Sequence, residues 1–342
     1  MAKPKRHHIV PECYLDGFTR DGLLWVYDRS TEEYRAQTTK NTAVMGHYYA
    51  VLNEQGEKDY SVEEMLSTLE GIGAPVVRRL DRGEQIEPEE RVNLAFFIAL
   101  LFNRVPRFER EIDEIADATA KAILKEMFPT VEAAAEHLAS SPDDEPRSYS
   151  AEDFFHFIHE EKFTLQGNRN NTVRTMLEQT PVLAQELAFM DWMVVHADDR
   201  SAFITTDSSW GYLVPDEVRR SCEPVYGIAS EKIVKVVTLS CRTALVIGQK
   251  GAHFGHFRVG RDRVRDINLA IAAECERYVI GPDEALVRSV VRRSKVDQGC
   301  PTSTRMKVEH IRHPTDPTRT LMISRRVPAD QFDRPLNVVF ED

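Results

Sequence analysis

The first residues of the chain carry side chains that could do chemistry. His7 and His8 are adjacent, and the carboxylate of Glu12 follows four residues after His8. An imidazole can accept a proton near neutral pH or ligate a metal, and a carboxylate can orient the ring. These residues could therefore supply a general base or metal ligand with its orienting group. The alternative is a structural histidine that packs under Tyr14 and Phe18, and the residue types alone favour it.

The adjacent histidines also resemble the opening of His-Asn-His nucleases. In those enzymes one histidine activates water, and a later asparagine and histidine complete a small metal site. Asn41 and His47 follow here, but their spacing does not suit that motif and no cysteine pair accompanies them. The cofactor is therefore unassigned, although a divalent metal is compatible with these residues.

Arg104 lies just beyond an apolar segment that spans residues 94–102. An arginine at the C-terminal end of a core helix either caps free carbonyl groups or receives an anion. If Arg104 faces a cleft, its guanidinium could hold a carboxylate or a phosphate through two N–H groups. The sequence leaves both roles open.

Asp207 follows the β-forming run of residues 203–206. Catalytic acids occur at strand ends, but Thr-Thr-Asp-Ser-Ser is also a good turn or helix-cap sequence, and capping is the favoured role. Trp210, three residues later, would either pack in the core or line a pocket.

His156 and His159 lie one helical turn apart and could ligate a metal from one helix face. No third ligand is apparent in the sequence, so a solvated helix face is the favoured interpretation. The chain also lacks the Gly-x-Ser-x-Gly elbow, the His-Glu-x-x-His pair and the Walker spacing. No established catalytic motif therefore assigns a reaction.

The net charge limits the partners that the chain can bind. Its 44 lysines and arginines against 55 aspartates and glutamates give a formal charge of −11. This balance disfavours broad adhesion to phosphate backbones or anionic lipid. It leaves room for a local basic groove, since residues 288–295 concentrate arginine and lysine. We expect no membrane partner, and nucleic acid or a nucleotide stays possible without support from the net charge.

The cysteines and apolar runs indicate the compartment. The five cysteines are odd in number and scattered, which fits neither a disulfide framework nor a zinc knuckle. No apolar signal core follows the basic N-terminus. The longest apolar run, about nine residues, is far shorter than the roughly 20 that a membrane span needs. These features predict a cytoplasmic location.

Three regions of different character must position the residues above. Residues 1–60 are rich in β-forming residues, residues 61–190 have helical periodicity, and residues 191–295 mix both patterns. The expected fold class is α+β, with a β-rich N-terminal segment, a helical middle, and a mixed β-sheet plus helices at the C-terminal side. We expect one domain over residues 1–295 and a C-terminal extension over residues 296–342.

Individual elements can also be predicted within these regions. The predicted strands are residues 23–27 and 47–52, a hairpin of 192–196 with 202–206, a pair of 233–239 with 243–247, and 319–324. The predicted helices begin with a capping box at Ser61 and Glu64, open at Pro88, and cover 107–128, 152–161, 174–190, 266–278 and 282–292. A polar loop is predicted at 140–147.

Several motifs follow one another in order along the chain. They lie at residues 7–18, 24–28, 69–75, 104–106, 205–207, 237–245 and 268–279. Together they resemble the family called domain of unknown function 4238, over about residues 6–295. Two positions depart from the family pattern: His8 occupies a usually aromatic position, and the proline usual after the aspartate is absent after Asp207. The resemblance implies an α+β fold but no established activity or cofactor.

Two functions are compatible with these observations. The first is a hydrolase of a phosphate ester, in nucleic acid or a nucleotide. Its catalytic residues would be His7, Glu12 and Asp207, and Arg104 and Trp210 would bind the substrate. The second is a non-catalytic binding or interaction module in which the same residues form a structural polar network. By analogy alone, such a protein could serve in phage defence or a toxin system. An open cleft favours the first function, and a sealed core favours the second.

Overall fold

The structure is a computed structural model that describes residues 6–52, 55, 58–140, 149–214, 233–251, 253–294, 304–312 and 320–328. Strands dominate its N-terminal segment, helices its middle, and sheets with helices its C-terminal side, which confirms the predicted α+β class. No helix in this described part of the chain is long and apolar enough to span a membrane.

The N-terminal segment consists of short antiparallel strands. They are β1 (Arg6–His8), β2 (Leu24–Asp28), β3 (Glu33–Gln37), β4 (Val44–Gly46), β5 (Val51–Leu52) and β6 (Lys58–Asp59), with the short helix α1 (Glu12–Leu15) after β1. β1 pairs with β4, β2 with β3, and β5 with β6. The strand predicted at 47–52 is wrong in its first part. Residues 47–49 form a turn instead, in which His47 adopts the left-handed conformation at φ 54°.

The described residues of the middle region form the helices α2 (Ser61–Asp81), α3 (Pro88–Asn103), α4 (Pro106–Met127), α5 (Val131–Ser140), α6 (Ala151–His159) and α7 (Arg169–Ala188). The predicted capping box of Ser61 and Glu64 is wrong, because the Ser61 N–H donates to Asp59 Oδ1 at 2.8 Å. The start of α3 agrees with prediction, since Pro88 is its first residue and the Glu90 carboxylate accepts the Glu87 N–H at 2.9 Å.

Helix α3 is buried on most sides because it packs against both α2 and α7. Gly73 lets α2 approach closely, since a Cβ atom at this position would lie 2.5 Å from the Cβ of Phe97. The apolar character of α3, which the sequence showed, therefore reflects a central position. This packing places Arg104, the residue after α3, inside the protein.

The two largest sheets among the described residues take most of their strands from the chain after α7. Their new strands are β7 (Met190–Ala197), β8 (Thr205–Thr206), β9 (Trp210–Leu213), β10 (Val234–Thr238), β11 (Thr243–Lys250), β12 (Phe254–Val259) and β13 (Tyr278–Gly281). The five-stranded sheet has the order β12-β7-β11-β10-β9, and the four-stranded sheet has the order β3-β2-β13-β8. All neighbours are antiparallel except β12 and β7. The predicted pair of 233–239 with 243–247 is confirmed as β10 and β11.

The predicted hairpin of 192–196 with 202–206 is wrong, because β7 and β8 belong to different sheets. The Phe203 N–H donates to the Cys241 carbonyl at 2.9 Å. The Ile204 N–H donates to Asn268 Oδ1 at 3.0 Å. These partners are distant in sequence, so a local turn pattern could not reveal them.

Helices α8 (Arg261–Ala273) and α9 (Glu284–Ser294) flank β13. Their apolar faces join a core of buried residues with the sheets, including Val264, Ile271 and Val287. The helix predicted at 266–278 corresponds to α8. It ends at Ala273, earlier than expected, and Tyr278 begins a strand.

The chain divides into two compact units. Unit 1 holds Met1–Glu109 with Arg169–Thr302, and unit 2 holds Arg110–Asn168 with Ser303–Asp342. Unit 2 contains α5, α6 and the antiparallel pair of β14 (Thr304–Arg312) and β15 (Thr320–Pro328). One domain over residues 1–295 with an extension stays a prediction. The predicted loop at 140–147 lies outside the described residues beyond its first position.

Candidate functional site

His7 lies on β1 and is fully buried. The pairing of β1 with β4 brings it beside the 47–49 turn, and there its Nδ1 accepts the backbone N–H of Tyr49 at 2.9 Å. The two rings stack with their centroids 5.8 Å apart. The imidazole is therefore fixed by a hydrogen bond and by an aromatic face.

This hydrogen bond determines the protonation of His7. A backbone N–H can only donate, so Nδ1 must be the unprotonated nitrogen, and the neutral ring carries its proton on Nε2. The Oε2 atom of Glu63 lies 3.7 Å from Nδ1. No proton lies on Nδ1, so this contact is not an ion pair. The nitrogen that a general base would use is already occupied.

Arg104 is buried beside His7, and each of its side-chain nitrogens has a partner within the protein. The guanidinium donates to Glu70 Oε1 and to the His8 carbonyl. Its Nε donates to the Tyr49 hydroxyl at 3.2 Å, and that hydroxyl donates back to the Arg104 carbonyl at 2.6 Å. Burial opposes the charge, but Tyr49 and Glu70 outweigh it and raise the pKa of Arg104.

Two glutamates of α2 complete what we call the His7–Arg104 cluster, which consists of His7, Tyr49, Glu63, Glu70 and Arg104. Glu63 and Glu70 are seven residues apart and so share one helix face. Burial raises the pKa of Glu63, and Arg104 counters this in part. The buried Oε2 atom of Glu63 has no hydrogen-bond partner among the described residues. The same holds for the buried Nε2 atom of His8.

Glu12 is exposed at the start of α1. Its Oε1 accepts a hydrogen bond from the Thr39 hydroxyl at 3.3 Å. Within the described part of the chain, no hydrogen bond or ion pair joins Glu12 to His7 or Arg104. Glu12, which the sequence analysis paired with His7, is therefore not hydrogen-bonded to His7 among the described residues.

Asp207 is buried just after β8, where it accepts hydrogen bonds from the backbone immediately before β13. Its two oxygens accept the N–H groups of Glu276 at 3.1 Å and Arg277 at 2.8 Å. Burial raises its pKa to about 7, with Glu276 adding to the shift and the backbone N–H groups opposing it. No hydrogen bond or ion pair between described residues links Asp207 to the His7–Arg104 cluster.

Trp210 is buried on β9 and packs edge-to-face on Phe102, with ring centroids 5.4 Å apart. Its Nε1 has no hydrogen-bond partner among the described residues. The ring therefore fills the interior at this point of the sheet.

Tyr14, by contrast, connects the N-terminal segment to the sheets. Its hydroxyl donates to the Thr238 carbonyl at 2.6 Å and lies 2.8 Å from Thr205 Oγ1. The sequence had shown Tyr14 only as a packing partner for a histidine. Its hydrogen bonds span β8 and β10, a link that no local pattern indicates.

The histidine pair on α6 makes local contacts. His156 Nδ1 lies 3.3 Å from Glu160, and His159 Nε2 donates to the Phe128 carbonyl at 2.9 Å. Across the residues that the structure describes, no group of three or more His, Cys, Asp or Glu side chains is placed to hold a metal ion.

A separate cavity of about 550 Å³ lies in unit 1. We call it the arginine pocket, since six arginines line it: Arg20, Arg200, Arg242, Arg261, Arg265 and Arg293. Two aspartates, Asp199 and Asp283, also line it. Sequence reasoning missed this site because its arginines are spread over more than 270 positions. Only the basic segment at 288–295, which contains Arg293, gave a signal.

The family model described as Protein of unknown function (DUF4238) matches residues 6–285. No curated protein and no solved structure matches the chain. The matched span includes the whole His7–Arg104 cluster and every arginine of the pocket except Arg293.

Proposed function

Because the chain belongs to the DUF4238 family, whose description assigns no activity, we propose from its own residues that it is a non-catalytic binding module. Its His7–Arg104 cluster stabilises the fold by joining β1, α2 and the end of α3.

One observation carries this proposal: Nδ1 of His7 accepts the Tyr49 N–H inside a fully buried site. A general base needs a free basic nitrogen within reach of substrate. Exposing Nδ1 would leave the buried Tyr49 N–H without a partner, at a cost of about 1–3 kcal/mol. A base at this position is therefore unfavourable.

The hydrolase hypothesis has less support. It requires His7, Glu12 and Asp207 to act on one substrate held by Arg104. Arg104 is instead committed to Glu70, Tyr49 and the His8 carbonyl. Asp207 is hydrogen-bonded to the backbone before β13.

The binding function is supported by the arginine pocket, whose volume of about 550 Å³ is in the usual range of small-molecule sites. The cytoplasmic location and the setting in phage defence or a toxin system stay predictions.

The test is an activity and stability comparison of His7→Ala with the unaltered chain. We expect a lower Tm for His7→Ala, and no turnover of phosphate monoesters or diesters by either protein with Mg²⁺ or Mn²⁺. His156→Ala, which removes a half-exposed histidine, is the control and should keep the original Tm. Turnover that depends on His7, with the fold retained in a His7→Gln variant, would contradict the proposal.

A further inference from the structure

We infer that the arginine pocket binds a small organic phosphate, of about the size of a nucleotide. This inference rests on the proposal that the chain is a binding module, and it names the site and the class of ligand.

The first argument is charge. Six arginines and two aspartates line the cavity, although the whole chain carries a formal charge of −11. A concave surface on which one sign of charge predominates focuses the electrostatic field and attracts ligands of the opposite charge. The pocket therefore attracts anions, although the net negative charge of the whole chain repels them.

The second argument is that several guanidinium groups are unused. Within the described part of the chain, Arg200, Arg261 and Arg293 have no side-chain hydrogen bond or ion pair. Arg242 differs, because it donates to the carbonyls of Ala197, Asp198 and Ser201 and so holds the turn after β7. Three arginines are thus available to a ligand.

The remaining arginines are only partly neutralised. Arg20 lies 3.5 Å from Asp283, and this pair is half exposed. Arg265 contacts Asp262 on its own helix at 3.0 Å, again at the surface. Exposed pairs of this kind are weak, so an incoming anion can compete for either arginine.

The anion that fits several guanidinium groups is phosphate. A guanidinium presents a planar fork of N–H donors that matches two phosphate oxygens at once. The free arginines come from three separate places: the turn after β7, the first residue of α8, and the last turn of α9. Donors from different directions suit a tetrahedral group that carries more than one charge.

The third argument concerns the rest of the ligand. Val264 and Leu269 of α8 and Leu286 and Val290 of α9 contribute an apolar part to the lining. Inorganic phosphate would leave this part unused and most of the cavity empty. A ligand with a flat organic group beside its phosphate uses both, as small-molecule sites generally combine apolar walls with a few polar groups.

A nucleic acid polymer fits less well. Polymer binding relies on an extended basic surface that neutralises many phosphates. Here six of the 44 lysines and arginines line one cavity, on a chain with a formal charge of −11. We therefore assign the site to a small molecule.

The test is calorimetric titration of the full chain with ADP, inorganic pyrophosphate and a short single-stranded DNA. The key variant is Arg261→Gln/Arg293→Gln, in which both side chains are exposed and form no hydrogen bond or ion pair within the described part of the chain. Arg263→Gln is the matched control, because Arg263 lies on the same helix but does not line the pocket. Tm measurements check that each variant is folded.

We expect ADP to bind the unaltered chain and the Arg263→Gln control equally. Each lost charge-assisted contact should weaken binding about tenfold, so the double variant should bind roughly a hundredfold more weakly. Pyrophosphate should bind more weakly than ADP because it leaves the apolar wall uncovered. Addition of salt should weaken all of these interactions.

Three results would overturn the inference. One is that ADP fails to bind at concentrations up to about 1 mM, the upper end of common Michaelis constants. Another is that the double variant binds ADP as tightly as the control. The third is that the DNA binds more tightly than ADP. Each of these results would refute the ligand assignment and leave the binding-module proposal standing. That proposal is refuted by a different result, hydrolysis that depends on His7.

Discussion

Replacing Arg104 with methionine tests whether the His7–Arg104 cluster is a buried structural network. The change keeps an unbranched side chain of similar length and removes the charge and every donor. Glu70, the His8 carbonyl and the Tyr49 hydroxyl then each lose a partner. Methionine also fills most of the space, so a cavity contributes little to the effect.

The expected loss of stability follows from the burial of the two charges. Removing one partner of a buried ion pair costs about 3–5 kcal/mol. The Arg104 side chain is 1% exposed and that of Glu70 is 21% exposed. Water can therefore reach part of the orphaned carboxylate, and we expect a loss near the lower limit, about 3 kcal/mol. That is a large share of the roughly 5–15 kcal/mol that stabilises a typical domain.

Urea denaturation measures this loss as a lower midpoint with an unchanged slope. A double variant, Arg104→Met/Glu70→Gln, should lose less stability than the sum of its two single variants, because it no longer leaves an unpaired buried carboxylate. Arg174→Met is the control: this exposed arginine pairs with Glu178 on the surface of α7, so its midpoint should barely change. A loss below about 1 kcal/mol for Arg104→Met would refute the reasoning, because it is the size expected of a solvated surface pair.

Three further outcomes are expected. Burial raises the pKa of Glu63 in the folded chain. Its contribution to the free energy of unfolding is therefore present below the unfolded pKa and is lost as pH rises. Glu63→Gln should thus stabilise the chain more at about pH 8 than at about pH 4 in urea titrations. Burial lowers the pKa of His196, so its contribution is present above the unfolded value of about 6.5 and is lost as pH falls; His196→Gln should show a smaller fall in Tm on acidification than the unaltered chain. Gly73→Ala should cost about 1–3 kcal/mol in urea denaturation because its Cβ would meet Phe97, whereas Gly71→Ala on the same helix has open space and should stabilise by roughly 0.5–1 kcal/mol; equal effects at both glycines would contradict the close packing of α2 on α3.

The sequence predicts those parts of the fold that local patterns determine. The apolar segment of residues 94–102 and Pro88 located α3, and the β-forming residues of 233–247 located β10 and β11. The hairpin expected around residue 199 failed for a tertiary reason. The chain after β7 is held by Cys241 and Asn268, which are about 40 and 65 positions away.

The site residues show the same division. The sequence singled out His7 and Arg104, but Tyr49, which connects them, was hidden in a segment that resembled a strand. Its position depends on the left-handed conformation of His47, which no β-propensity scale encodes. The arginine pocket draws on several elements, so only the folded chain could assemble it.

The protonation state of His7 is the most direct test of the central claim that this histidine is structural. Long-range proton–nitrogen NMR spectra of the ring at neutral pH distinguish its two neutral forms from the cation. We expect a neutral ring with its proton on Nε2, an unprotonated Nδ1, and a Tyr49 amide proton that is protected from exchange with solvent. A ring protonated on Nδ1, or a Tyr49 amide that exchanges freely, would contradict the claim and restore His7 as a possible base.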